Sequence, residues 1–157
     1  PDLLKALKEA VGNGVTVNIL LPEESDEQDF VKFNNYDAIQ QLKNKATEAG
    51  SKGKVNAYLY KNDVAFNHSK LMTFDGKSAI VGSANTTNRS LDNPVHYNKE
   101  MALFIEDDNF VKNVDQDLFQ KDITDSSIDL NVPTNWEKYI KKNQAKIDKY
   151  KNIDGVS

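Results

Sequence analysis

The first sixty residues alternate between helical and extended patterns, and this alternation constrains the fold more than any other feature. Leucines, alanine and valine recur at helical spacing over residues 3–11, and "GNG" at 12–14 predicts the end of that helix. The apolar run "VTVNILLP" predicts a buried strand, and residues 23–34 read as an acidic, turn-like segment. A second helical pattern over 36–49 precedes the strand "KVNAYLY". The order helix, strand, helix, strand predicts an α/β fold with a layered sheet.

The repeat of apolar residues changes near residue 68. The runs "SKLMTFD" and "SAIVGSA" flank "DGK", which is a strong signal for a hairpin of two antiparallel strands. "EMALFIED" predicts a further strand, and an apolar stripe from Phe110 to Phe119 predicts the helix after it. A terminal helix is expected with Thr134 or Asn135 as its N-cap. We expect residues 1–125 to form the main unit and residues 126–157 to be a loop and helix packed on the same domain.

Composition narrows the class of protein. A chain of 157 residues with 38% apolar residues suits one globular domain, and no window reaches the roughly 18 apolar residues of a membrane span. The net charge of −4 argues against broad binding of nucleic acid, and the absence of cysteine excludes thiolate chemistry. The chain opens without methionine or a signal-peptide pattern, so we expect an excised piece of a longer protein. Its compartment is left undecided, soluble or peripheral to a membrane, in the cytoplasm or the cell envelope.

The hairpin gathers hydrogen-bond donors. His68 and Lys70 are two residues apart, so on a strand their side chains share a face. The pairing would bring Gly82, Ser83 and Asn85 close to them, since these follow the second strand. Glycine lets a backbone approach closely, while hydroxyl and amide groups donate to an oxyanion. The set suits a phosphodiester, whose charge grows on its nonbridging oxygens during displacement.

A histidine in such a set can attack phosphorus, provided that another group fixes its tautomer. Glu100, at the start of the next strand, is the candidate for that orienting role. A lone "HSK" would instead be an ordinary surface or core histidine.

His68, Lys70 and Asp75 together spell HxKxxxxD, and Gly82 to Asn85 spell GSxN. This combination resembles the phospholipase D superfamily, and the likeness extends from residue 2 to about residue 120. The resemblance implies a layered α/β sandwich, with a mixed β-sheet flanked by helices on both faces. It also implies that residues 1–125 are one catalytic half.

The resemblance implies roles for the motif residues. His68 would form a phosphohistidine, or act as acid and base for a partner histidine, and Lys70, Ser83 and Asn85, with Gly82, would hold the phosphate oxygens. Asp75 would be mainly structural, and Glu100 would hydrogen-bond the motif histidine. The family needs no metal or other cofactor.

One departure from the family pattern concerns the second half of the site. The family uses two facing HxK units, whereas this chain has one, because the residue two positions after His96 is Asn98 rather than lysine. Either an upstream half of the same polypeptide or a symmetric partner would supply the other unit, and we favour the upstream half. His96 is then a loop residue or part of the substrate rim. "GSANTTNRSL" resembles the bacterial cardiolipin synthase and phosphatidyltransferase branch, and its Arg89 is either a surface residue or a substrate contact.

Three functions follow as hypotheses. The first is phosphodiester hydrolysis or phosphatidyl transfer on phospholipids; the second is a single-motif homodimeric endonuclease, and the third a noncatalytic phosphate-binding scaffold. The pI of 5.2 disfavours the endonuclease and makes nucleic acid the weaker partner prediction. The lysine-rich helix at 138–151 is either a solvated face, which we favour, or a peripheral contact with anionic lipid headgroups.

Overall fold

A computed structural model describes residues 2–23, 29–61, 63, 67–85 and 99–151. Helix α1 (Asp2–Gly12) leads into strand β1 (Thr16–Pro22), and helix α2 (Asp29–Thr47) leads into strand β2 (Lys54–Tyr60). The predicted order of helix, strand, helix and strand is confirmed.

The start of α2 corrects one prediction. The helix begins at Asp29, within the segment 23–34 that the sequence predicts to be turn-like. Acidic residues are frequent in loops and are also favoured in the first turn of a helix, where they face the positive end of its dipole. Composition alone therefore did not separate loop from helix here.

The remaining elements follow in chain order. They are β3 (Leu71–Phe74), β4 (Ser78–Gly82), β5 (Ala102–Glu106), α3 (Asp108–Val114), a π-helical segment (Asp115–Gln120), α4 (Lys121–Ser126), β6 (Ser127–Asp129) and α5 (Pro133–Lys151).

The described strands form two sheets of three strands each. In the first, β1 runs parallel to β2, and β6 pairs antiparallel with the other edge of β2. In the second, β3, β4 and β5 are antiparallel neighbours in that order. The α/β class is confirmed, and the strands predicted for one mixed sheet are divided between a mixed and an antiparallel sheet. Strand β6 was not predicted, because three residues are too few to show a period.

The predicted hairpin is confirmed as β3 and β4. Lys77 N donates to Phe74 O at 3.0 Å and closes the turn. The central residues Asp75 and Gly76 have φ values of 52° and 66°. Three residues, 75–77, connect the paired strands. Positive φ values at both central positions of the four-residue turn 74–77 are typical of a type I′ turn, whose twist matches that of the paired strands. The turn also sets the register, with Leu71 opposite Val81.

The predicted helix after β5 is confirmed. The Asp107 side chain caps it by accepting from Phe110 N at 2.9 Å, and the helix continues through the π-helical segment into α4. Val111 is fully buried. The Thr73 hydroxyl of β3 donates to Asp115 Oδ1 at 2.8 Å, which joins the hairpin to this helix.

Helix α5 begins earlier than the sequence predicted. Asn135 N and Trp136 N both donate to Val132 O, at 3.0 and 3.1 Å, so neither Thr134 nor Asn135 is the N-cap. Pro133 occupies the first helical position, where proline is favoured because the backbone N–H has no helical partner there. The Asn135 amide instead donates to Asp129 O at 2.9 Å, which ties the helix to β6.

A core forms between the first sheet, α2 and α5. Its buried members are Ile39, Ala57, Leu59 and Leu130. Trp136 stacks between two tyrosines, with ring centroids 5.7 Å from Tyr36 and 5.6 Å from Tyr139.

Two ionisable side chains border this core. Burial raises the pKa of Tyr139 to about 12. Lys43 Nζ donates to Leu130 O at 3.0 Å and lies 5.2 Å from the ring centre of Trp136. Burial lowers the pKa of this lysine, against an opposing effect of Asp129. None of the described helices is long and apolar enough to span a membrane.

Candidate active site

Six of the predicted site residues lie at one end of the antiparallel sheet. In such a sheet the start of one strand lies beside the end of its neighbour. The segment before β3, the segment after β4 and the segment before β5 therefore converge. They carry His68 and Lys70, then Ser83 and Asn85 directly after Gly82, the last residue of β4, and finally Glu100.

Ser83 is the centre of the hydrogen bonding that the structure places here. Its hydroxyl donates to Glu100 Oε2 at 2.5 Å and accepts from Met101 N at 3.1 Å. Its backbone N donates to Met101 O at 3.0 Å. A hydrogen bond from a hydroxyl to a carboxylate is short and charge-assisted. The pairing of β4 with β5 holds Ser83 and Glu100 in position for this bond. The sequence predicted Glu100 as a partner of His68 and did not predict its bond to Ser83.

Gly82 makes the close approach of β5 to β4 feasible. A Cβ atom at this position would lie 2.6 Å from Met101 O and 2.8 Å from Ala102 Cβ. On the opposite edge, Gly82 N donates to Lys70 O at 3.1 Å and continues the hairpin ladder. The backbone that approaches this glycine thus belongs to the neighbouring strand of the same sheet.

Lys70 and His68 lie on the other side of Gly82. Lys70 is half-buried, and its Nζ donates to His68 O at 2.8 Å, which holds the ammonium beside the histidine backbone. Ahead of them, Asn67 Oδ1 accepts from Ser69 N at 3.0 Å. The His68 side chain is exposed, whereas Asn85 is half-buried. The exposed side chain of His68 is therefore accessible from solvent.

The structure places Asp75 away from the other motif residues. It lies in the turn, whereas Lys70 lies just before the start of β3, and the four residues of β3 between them span about 13 Å at 3.3 Å per residue. Asp75 is exposed, and among the described residues its side chain makes no hydrogen bond or ion pair. Its visible contribution is the left-handed backbone conformation of the turn.

Two predicted rim residues, Arg89 and His96, lie outside the described residues. Within the ranges that the structure describes, no three histidine or carboxylate side chains are grouped so that they could hold a metal ion. The bond between Ser83 and Glu100 was missed from the sequence, since the two residues are separated by 17 positions.

Comparison with known proteins agrees with the motif. The family model described as the cardiolipin synthase, PLD-like domain matches residues 1–123. Cardiolipin synthase 1 of Staphylococcus epidermidis is 34% identical over 125 residues, which are 80% of this chain and 22% of that protein. Cardiolipin synthase 2 of Bacillus cereus is 31% identical over 126 residues, covering 80% of this chain and 21% of that protein.

A third relative, the cardiolipin synthase of Geobacillus sp. (strain WCH70), is 32% identical over 126 residues, 80% of this chain and 22% of its own length. The chain thus spans about a fifth of the length of these relatives. No solved structure matches it. The resemblance to the phospholipase D superfamily is confirmed, and the chain belongs to the family of cardiolipin synthase-type, phospholipase D-like domains.

Proposed function

We propose that this chain supplies one half of the active site of an enzyme that transfers or hydrolyses the phosphatidyl group of phospholipids. The observation that carries the proposal is the convergence of His68, Lys70, Ser83 and Glu100 at one end of the sheet. The names of the relatives support a lipid substrate, and the net charge of −4 favours lipid over nucleic acid.

The proposed reaction has two displacements at phosphorus. An imidazole nitrogen of His68 attacks, the bond from phosphorus to the leaving alcohol breaks, and the alcohol oxygen takes a proton from the histidine of the second half. An acceptor hydroxyl then attacks the phosphohistidine, gives its proton to that second histidine, and releases His68 as the P–N bond breaks. An alcohol acceptor gives transfer, and water gives hydrolysis.

The hydrogen bonds support different roles for the residues of the site. Lys70 and Asn85 bind the nonbridging oxygens, where negative charge grows in the transition state. Ser83 has one hydroxyl proton, and while that proton is donated to Glu100 it is not available to the phosphate. Ser83 then acts by holding Glu100 in place. The carboxylate has further lone pairs with which to accept from His68 and fix its tautomer.

The second half of the site must come from outside these residues. The chain has two histidines, and His96 lacks the lysine two positions on that the motif requires. We propose that an upstream part of the same polypeptide supplies the second HxK unit, and that the chain alone is inactive. The proposal needs no metal or cofactor.

The experiment traps the covalent intermediate in the full-length protein that carries this chain. The protein is incubated with phosphate-labelled phosphatidylglycerol in the presence of EDTA and quenched without acid, because phosphohistidine is acid-labile. We expect label on the protein, lost in His68→Ala and strongly reduced in Lys70→Gln. Lys77→Gln is the matched control, since Lys77 is an exposed lysine in the turn of the same hairpin.

The same experiment with labelled DNA tests the alternative of a homodimeric endonuclease, which the single HxK unit of the chain favours. Label from DNA and none from lipid would assign the endonuclease activity. No label from either substrate would contradict both activities and leave the noncatalytic phosphate-binding scaffold.

A further inference from the structure

We infer that the exposed face of helix α5 is a binding surface for anionic phospholipid headgroups. This surface, the basic stripe, consists of Lys138, Lys141, Lys142 and Lys149, all of which are exposed. The inference does not depend on the proposed catalytic function, because the stripe lies outside residues 1–123 and is tested by binding alone.

The lysines share one face of the helix. At about 100° per residue, positions 138, 141, 142 and 149 fall within an arc of about 100°. The opposite face carries Trp136 and Tyr139, which pack on the core, and Ile147, which is 3% exposed. Packing therefore fixes which side of α5 is turned outward.

The charge of α5 is opposite to that of the rest of the chain. The helix has six lysines and two carboxylates, a net charge of +4, whereas the whole chain has −4, so the other residues carry −8. Glu137 and Asp148, the two acids, lie beside the stripe rather than within it, and Asp148 Oδ1 accepts from Gln144 Nε2 at 2.7 Å. Positive charge is thus concentrated along one line.

The stripe is only partly neutralised. Lys142 Nζ lies 3.6 Å from Glu23 Oε1, and Lys149 Nζ lies 4.9 Å from the ring centre of Tyr150. Within the part of the chain that the structure describes, Lys138 and Lys141 form no ion pair. Two ammonium groups, one helical turn apart, are therefore available to an external anion.

The shape of the stripe fits a lipid surface better than a nucleic acid. It is a straight line about 16 Å long, from eleven residue steps of 1.5 Å. A helix lying on a membrane presents such a line to many small headgroups at once. Nucleic acid would require positive charge over a wider area, because broad binding rests on neutralising many phosphates.

Sedimentation with vesicles tests the inference. The full chain is mixed at low salt with vesicles of phosphatidylglycerol and phosphatidylcholine in equal parts, or of phosphatidylcholine alone. We expect binding to the first, none to the second, and loss of binding at high salt. The double variant Lys138→Gln/Lys141→Gln should bind about 30-fold more weakly, at about 1 kcal/mol for each lysine near an anionic surface.

The matched control is Lys52→Gln/Lys54→Gln, which changes the net charge equally at two exposed lysines outside α5. It should retain wild-type affinity. A second test adds charge: Ala145 is exposed and lies in the arc of the stripe, so Ala145→Lys should bind about fivefold more tightly. Unchanged thermal unfolding by circular dichroism shows that each variant is folded.

Three results would overturn the inference. They are equal binding to both kinds of vesicle, equal weakening by the two double variants, and binding to an oligonucleotide without binding to vesicles.

Discussion

Replacing Gly82 with alanine tests the close contact on which the candidate site depends. The new Cβ would lie 2.6 Å from Met101 O, 2.8 Å from Ala102 Cβ and 2.9 Å from Ala102 Cα. These are backbone and Cβ atoms of a paired strand, so no side chain can rotate away. Strand β5 would have to move by several tenths of an ångström at the residue next to Glu100.

The cost follows from the overpacking. Forcing one extra carbon into a tightly packed position typically costs 1–3 kcal/mol, and we expect about 2 kcal/mol here because only backbone movement can relieve the contact. The hydrogen bond from Ser83 N to Met101 O, 3.0 Å long, is the next rung of the ladder and would be stretched. We therefore expect Gly82→Ala to lower the free energy of unfolding and the yield of labelled phosphohistidine together.

Urea unfolding of the chain, followed by circular dichroism, measures the stability. Gly12→Ala is the control, because its Cβ would meet only the flexible end of Lys45, with Cε at 3.0 Å, and alanine is favoured over glycine in a helix. We expect Gly12→Ala to be neutral or stabilising. A Gly82→Ala variant within about 0.5 kcal/mol of wild type would refute the reasoning, since that is the range of substitutions without structural consequence.

Three further predictions concern the core, the turn and pH. Leu130→Ala should cost about 3 kcal/mol in urea unfolding, since Leu130 is fully buried, whereas Val132→Ala, at a position 43% exposed, should cost little; similar losses would contradict the assigned core. Asp75→Asn should keep phosphohistidine formation in the full-length protein, because asparagine also tolerates the left-handed conformation of the turn. Asp75→Val should lower the free energy of unfolding by about 1–2 kcal/mol. Loss of label in Asp75→Asn would show that the carboxylate itself is needed. The pKa of Tyr139 is raised from 10.0 to about 12, so between these pH values the unfolded chain loses a proton that the folded chain keeps. The free energy of unfolding should therefore fall by about 3 kcal/mol as pH rises through this range. Tyr139→Phe should remove that part of the decline, and an unchanged pH profile in this variant would contradict the prediction.

The elements that the sequence predicted well are those encoded over short distances. The Asp75–Gly76 pair requires two positive φ values, and the apolar runs on either side then pair in one register. The helical repeats before β1 and after β5 are similarly local. Where a segment is compatible with two structures, as at residues 29–34, local composition predicted the wrong one.

Most of the contacts that the sequence did not predict depend on pairing between distant segments. Residues Ser127 to Asp129 form strand β6 because they pair with the free edge of β2, about 70 residues earlier in the chain. The start of α5 is a local exception, since Asn135 bonds to Asp129 only six residues earlier in the chain.

The sequence by itself determined the family and the motif, and it placed His68 and Lys70 near Gly82 through a turn whose geometry two adjacent residues encode. Only the tertiary structure decided the other relations. It added β6 to the free edge of β2, and it joined Ser83 to Glu100 at 2.5 Å through the pairing of β4 with β5. The physical reason is that a turn fixes the register of the strands it connects, whereas the pairing of β5 depends on a close backbone approach that no local pattern specifies.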